Sequence, residues 1–154
     1  MTSALRERVL EQLADHHVLS LATTGPEGPW AAAVFYAHDG LSLYFLSSPT
    51  SRHALNIGAG TEVAATIQRD YDDWPGIRGL QLQGRAEPVT ARDEAAVRQR
   101  YAERFPIVGL SARAPAAIVR ALDRVRWYIL RPRAIWLIDN RLGFAHREQL
   151  DVDV

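Results

Sequence analysis
LSLYFLSSPTSRHALNI, residues 41–57, sets the reading of the whole chain. Leu41, Leu43 and Phe45 alternate with Ser42, Tyr44 and Leu46, and β-formers dominate, so the stretch opens as a strand. Pro49 has no N–H to give a ladder, so the strand stops at Ser48-Pro49. Thr50-Ser51-Arg52-His53 then open a short helix through Ala54-Leu55-Asn56-Ile57 that ends at Gly58, with Ser51 as its cap. The first amides of a helix lack internal partners, and the dipole makes that end attractive to an anion. The hydroxyls of Ser47, Ser48 and Thr50 and the fixed charge of Arg52 add to it, a set suited to a phosphate. The same residues also read as an ordinary helix cap beside a surface arginine.

Upstream, Asp39-Gly40 joins this strand to WAAAVFYAH, residues 30–38. Asp-Gly between two apolar runs is a hairpin signal, so the two strands are expected to be antiparallel neighbours. The alanines of the earlier strand let something flat or bulky approach the sheet, and they equally suit tight helix-on-sheet packing. Gly25-Pro26-Glu27-Gly28-Pro29 is a dense turn signal, preceded by a strand VLSLAT at residues 18–23. Residues 2–16 place Leu5, Val9 and Leu13 on one stripe, a helix capped by Thr2 or Ser3. His16 and His17 end it, where dipole contacts suit them better than joint metal ligation.

Downstream, residues 63–69 form a strand, and Asp70-Tyr71-Asp72-Asp73-Trp74-Pro75-Gly76 is a polar, aromatic loop, either a recognition loop or a solvated connection. IRGLQLQGRAEPV, residues 77–89, is a long strand in which Gly79 and Gly84 signal a bulge or a corner. Thr90-x-x-Asp93 matches a capping box for a helix that ends before Pro106, with Val97, Tyr101 and Phe105 on its apolar face. A short helix is predicted over residues 115–122. Two last strands follow, 125–130 and 134–139, separated by Arg131-Pro132-Arg133, and then a polar tail. Six or seven mostly antiparallel strands with glycine corners predict a mainly β chain: a small closed or partly open barrel of Greek-key type with flanking helices, residues 1–154 forming one domain.

Composition narrows the function. Eighteen Lys+Arg balance eighteen Asp+Glu, which removes the usual electrostatic argument for nucleic acid. There is no cysteine, which excludes disulfides, thiol catalysis and thiolate metal sites, and the five histidines show no i, i+4 pair for a metal. No apolar run approaches a membrane span and the N-terminus does not read as a signal peptide, so a cytoplasmic protein without membrane or nucleic-acid partners is expected. No G-x-S-x-G, H-E-x-x-H or P-loop pattern occurs, and no residue reads as a catalytic acid or base. A flat, phosphate-bearing cofactor would use the anion end and the small-residue strand together. Its ring would lie along Ala33, Val34 and Phe35, and Trp127 or Trp136 would stack on it or close the site. Core filling or a subunit interface accounts for either tryptophan equally well.

VFYAHDGLSLYFLSSPTSRHALNI resembles the pyridoxamine 5′-phosphate oxidase-like split barrels that bind FMN, in which an S-R-K-like triplet holds the phosphate. The matching positions are Ser51, Arg52 and His53, with Ser47 where the family has a helping Ser or Thr. GLQLQGRAE at residues 79–87 resembles the family strand with a central glycine. Ile77-Arg78-Gly79 with Gln81, Tyr101-x-x-Arg-Phe-Pro and Ile138-Asp139-Asn140-Arg141-Leu142-Gly143-Phe144 are similar to the bacterial YhbP-like branch. The resemblance implies an FMN-binding split barrel, with Ala33, Val34, Phe35, Leu46, Ser47, Thr50, Ser51, Arg52, His53 and Trp127 as cofactor contacts. It implies an oxidoreductase, or else a flavin- or haem-binding module without turnover or a ligand-free protein of the same fold; a deazaflavin is the remaining cofactor alternative. It also implies a homodimer with cofactor sites at the interface, for which Trp127, Tyr128 and Trp136 are surface candidates. His53 stands where the oxidase has Lys, Ala31 and Tyr36 where it has basic residues, and Gly79 where it has Gln, so pyridoxamine phosphate is not the implied substrate.

Overall fold
The computed structural model describes residues 3–109 and 115–153. In chain order the elements are α1 (Ala4–Asp15), β1 (Val18–Gly25), β2 (Gly28–Phe35), β3 (Ala37–Asp39), β4 (Ser42–Ser47), α2 (Arg52–Ile57), β5 (Thr61–Gln68), β6 (Arg78–Pro88), α3 (Glu94–Arg104), α4 (Pro106–Gly109), α5 (Ala116–Leu122), β7 (Arg126–Asp139) and β8 (Arg147–Asp151). The eight strands form one curled sheet in the order β2-β1-β5-β6-β7-β4-β3, with β8 added to β7, and every pairing is antiparallel. The split-barrel expectation therefore holds. The split falls between the two end strands, β2 and β3, which the chain crosses in the single residue Tyr36.

Alternation along the strands builds the interior. Leu19 and Leu21 of β1, Leu43 and Phe45 of β4, Val63 and Ile67 of β5, Leu80 and Leu82 of β6, and Tyr128, Leu130, Ile135 and Leu137 of β7 all point inward and are buried. Val9 and Leu13 of α1 and Ala54 and Ile57 of α2 close the barrel from its sides. Ser3 caps α1 by accepting from the Arg6 amide at 3.1 Å. The Thr2 alternative lies outside the described residues.

Four readings of the sequence are corrected. Residues 125–130 and 134–139 are one continuous strand, not two. Gly84 faces Pro132 and Gln83 faces Ala134, so Arg133 is an extra residue in a bulge, the place where a sheet tolerates proline. A Cβ on Gly84 would run into the Arg131 carbonyl, so glycine is required opposite the bulge. The polar tail contains a strand, β8, which brings the total to eight. The strand read at 30–38 breaks at Tyr36: its short second part pairs with β4 as the Asp-Gly signal predicts, while β2 pairs with β1 instead. Finally, Thr90 and Asp93 do not make a capping box. Thr90 Oγ1 donates to the Asp93 carboxylate at 3.2 Å, and Asp93 makes no side-chain cap.

A second, smaller core lies between the sheet and α3. Val97, Tyr101 and Val108 pack there on Ala37 and Trp127. Arg104 ties α3 to the end of α1 by donating to the carbonyls of Leu13 and Ala14 at 3.2 and 3.3 Å. Tyr36 donates to the same Leu13 carbonyl at 2.8 Å, beneath the Arg104 guanidinium. His16 ends α1 by donating from Nδ1 to the Gln12 carbonyl at 2.7 Å, so helix capping is its role. The 70–76 loop is tied to the segment after β7: Asn140 Nδ2 donates to the Trp74 carbonyl at 2.8 Å, and the Trp74 ring lies 5.8 Å from Phe144.

Candidate functional site
The candidate site sits at the mouth of the barrel, where β4 turns into α2. Ser47 is the last residue of β4 and, following the alternation, points inward with only 7% of its surface exposed. The chain then turns on Ser48-Pro49-Thr50. Ser51 donates to the Ser48 carbonyl at 2.8 Å and accepts from the Ala54 amide at 3.4 Å, so the predicted cap is formed. α2 is anchored by Asn56, whose Nδ2 donates to Thr23 Oγ1 of β1 at 3.0 Å.

This turn brings His53 back onto Ser47. His53 Nε2 lies 2.6 Å from Ser47 Oγ and 3.5 Å from Ser51 Oγ. Burial holds the His53 pKa below its usual value, so the ring is neutral at pH 7. Three of the sequence-predicted phosphate residues thus converge. Thr50 does not join them: its hydroxyl lies 3.0 Å from Ser48 Oγ, on the exposed side of the turn.

Arg52 leaves the cluster in the other direction. Its guanidinium lies over the ring of Trp30, 4.3 Å from the centroid, and Nη2 donates to the Glu27 carbonyl at 3.2 Å. A guanidinium has five N–H donors in a rigid fork, so one carbonyl contact leaves the others for an anion. The sequence reading missed Trp30 and Glu27. Their only signal was a turn at 25–29 followed by an aromatic, with nothing to link it to a helix more than twenty residues on.

Ala33, Val34 and Phe35 belong to β2, which ends the sheet and leaves one edge unpaired within it. Ala33 and Phe35 are exposed on the outer face; Val34 is half-buried and packs inward. Phe35, 58% exposed, meets Phe105 at 5.5 Å. Leu46 is half-buried under α3, paired across the sheet with Trp127. Trp127 is buried and edge-on to Tyr101 at 5.2 Å, so it serves the second core and has no open face to stack on a ligand. Tyr128 is buried and stacked on Phe45 at 5.3 Å. Neither is the surface residue the sequence reading expected. Trp136 is half-exposed, beneath Arg147 at 5.4 Å.

The outer face of the sheet is built from small residues. Ala22, Ala31 and Ala64 floor a shallow concavity of about 410 Å³, rimmed by Gln81, Gln83 and Trp136. Among the described residues there is no group of three or more His, Asp or Glu placed to hold a metal ion, and no helix is long and apolar enough to cross a membrane.

An antiparallel barrel split at its edge, with a serine-capped turn at its mouth, defines a class, and the comparisons agree. The family model described as "Pyridoxamine 5'-phosphate oxidase" matches residues 5–139, and the chain belongs to that family. Within it, the chain is 31% identical over 137 residues to the UPF0306 protein YhbP of Salmonella paratyphi C, covering 88% of this chain and 85% of that one. The fold is shared with a haem binding protein from Mycobacterium smegmatis (TM-score 0.72, 21% identity), covering 98% of this chain and 59% of that one. It is shared too with a FAD-binding protein from Mesorhizobium loti (TM-score 0.63, 17% identity), covering 86% and 91%.

Proposed function
We propose that this chain is a flavin-binding split-barrel module that holds FMN at the barrel mouth. The reading rests on the cluster of Ser47, Ser51 and His53, with Arg52 on the same turn held over Trp30 of β2. Two hydroxyls and an imidazole suit a phosphate, with the spare donors of Arg52 on the neighbouring side of the turn, although a neutral His53 contributes less charge than a lysine there. The ring would follow the β2 edge along Ala33, Val34 and Phe35. Bound flavin supplies redox chemistry of its own, and the chain's part is to bind and orient it. Among the described residues we identify no acid or base placed to take part, so oxidoreductase turnover on an unknown substrate is the finer and less supported form of this reading.

Haem is the second reading, favoured by the fold shared with the M. smegmatis protein. It is weaker because the residues lining the outer-face concavity include no His, Tyr or Met to ligate iron. We further propose a cytoplasmic homodimer whose two copies meet through that face and complete the ring sites, with nucleic acid and membrane playing no part. Absorbance of freshly purified protein tests the cofactor: flavin near-UV and blue bands support the proposal, and a Soret band supports haem. If neither band appears and added FMN does not bind, the ligand-free reading stands.

A further inference from the structure
α2 has six residues, too few to hold a helix in water alone, so what it packs against sets where its side chains stand. Ala54 and Ile57 bury its inner face in the barrel core. Apolar contact holds the helix down but is non-directional, so it leaves the slide and rotation of α2 to polar contacts. Arg52 and Asn56 lie four residues apart and share one face of α2. Arg52 stacks on Trp30 of β2, and Asn56 Nδ2 donates to Thr23 Oγ1 of β1 at 3.0 Å. Thr23 and Trp30 are register partners across β1 and β2. One face of α2 therefore grips one rung of the β1–β2 hairpin from both strands.

The hairpin is shaped for this contact. Thr23 is buried, where solvent does not replace a lost partner. Gly25, two residues further along β1, leaves the room: a Cβ there would run into the Asn56 side-chain amide. Glu27, at the hairpin tip, accepts from Arg52. The Asn56 side chain makes no hydrogen bond to Ser47, Ser51 or His53, so its influence on them passes through the placement of α2.

We infer that Asn56, through Thr23, is a positioning residue for the anion-binding turn. It fixes α2 along the β1–β2 hairpin, so that Arg52 stays on Trp30 and the Ser51–His53 turn keeps one placement relative to β2. Its effect on cofactor affinity rests on the flavin reading; its effect on Arg52 does not.

Ligand-free protein gives the first test. Asn56→Ala should free the Arg52 side chain: the heteronuclear NOE of its Nε–H should drop and the Trp30 indole N–H signal should shift, while the far-UV circular dichroism stays that of the parent. Thr23→Val, which keeps the shape and removes the acceptor, should do the same. Thr23→Ser, which restores the acceptor, should return both signals to the parent's. Flavin fluorescence titration gives the second test. Asn56→Ala and Thr23→Val should each weaken FMN by about tenfold and leave riboflavin within about twofold, whereas a merely structural loss would weaken both alike. Unchanged Arg52 and Trp30 signals in both variants overturn the inference. So does a parent that binds FMN while both variants keep its full affinity, or equal weakening of the two flavins. Shifted signals in a parent that binds neither flavin leave Asn56 as the residue that places Arg52 and remove the flavin reading instead.

Discussion
Arg52 is held before any ligand arrives: its plane lies on Trp30 and one donor is spent on the Glu27 carbonyl. Such a charge loses little freedom on meeting a phosphate. Arg52→Ala is expected to weaken FMN by about 1.5–3 kcal/mol, roughly ten- to a hundredfold, while leaving riboflavin unaffected. Arg52→Lys should recover only part, because lysine lacks the planar fork. Flavin fluorescence titration reads both; equal FMN and riboflavin affinities in the parent protein would remove the phosphate site altogether. His53 gives a second expectation. Burial lowers its pKa, so it is neutral at pH 7 and gains charge only as pH falls. His53→Lys should therefore tighten FMN, and the gain over the parent should be larger at pH 8 than at pH 5.5, measured by the same titration. Ser47, Ser51 and His53 were legible in the sequence because seven residues of strand end, turn and helix start place them locally. The Trp30–Arg52 stack was not legible, because it depends on which face of a distant strand turns toward α2.

At the scale of elements, local signals were read well, while pairings between distant strands left no signal to read. α1, β1, β4, α2, β5 and α5 lie where periodicity and punctuation put them. Proline 132 read as a strand break because a central strand normally excludes it, and the bulge opposite Gly84 that accommodates it is a property of two strands together. Gly84→Val is expected to destabilise the fold by about 1–3 kcal/mol, since its side chain would press on the Arg131 carbonyl; the shift of a urea midpoint measures it. β8 escaped notice because its residues are polar and half-exposed. Arg8 of α1 holds it through Glu148, at 2.7 and 2.8 Å, with His146 at 3.1 Å on the same carboxylate. The hydrogen bond from Arg8, then that from His146, lower the Glu148 pKa to about 2. The folded value lies below the unfolded one, so this contribution is complete above about pH 4.5 and is lost as pH falls toward 2. Hydrogen-exchange protection of the β8 amides, corrected for the intrinsic pH dependence of exchange, should fall across that window in the parent protein, and should already be reduced at pH 7 in Glu148→Gln.

For the whole molecule, the outer face of the sheet is the largest question. Ala22, Ala31 and Ala64 leave its middle shallow and without charge, Arg147 being the charged residue at its rim. A sheet face of this kind exposes apolar surface to water, and a second copy docked on the same face would remove both surfaces at once through a two-fold interface. Zero net charge offers no long-range repulsion between copies. In such a dimer Trp136, half-exposed at the rim, would be the aromatic anchor, since Trp127 and Tyr128 are buried in the interior. Sedimentation at micromolar concentration is therefore expected to give twice the 17.2 kDa chain mass. Ala64→Arg places an unpaired charge in the middle of the face, at a position already exposed in the single chain, so each copy should keep its fold and circular dichroism while the pair separates. Because the ring site is proposed to use both copies, the same substitution should weaken riboflavin as well as FMN, unlike Arg52→Ala, which touches only the phosphate. A parent protein sedimenting at the chain mass would reject the dimer; an Ala64→Arg dimer as tight as the parent would move the interface to another face.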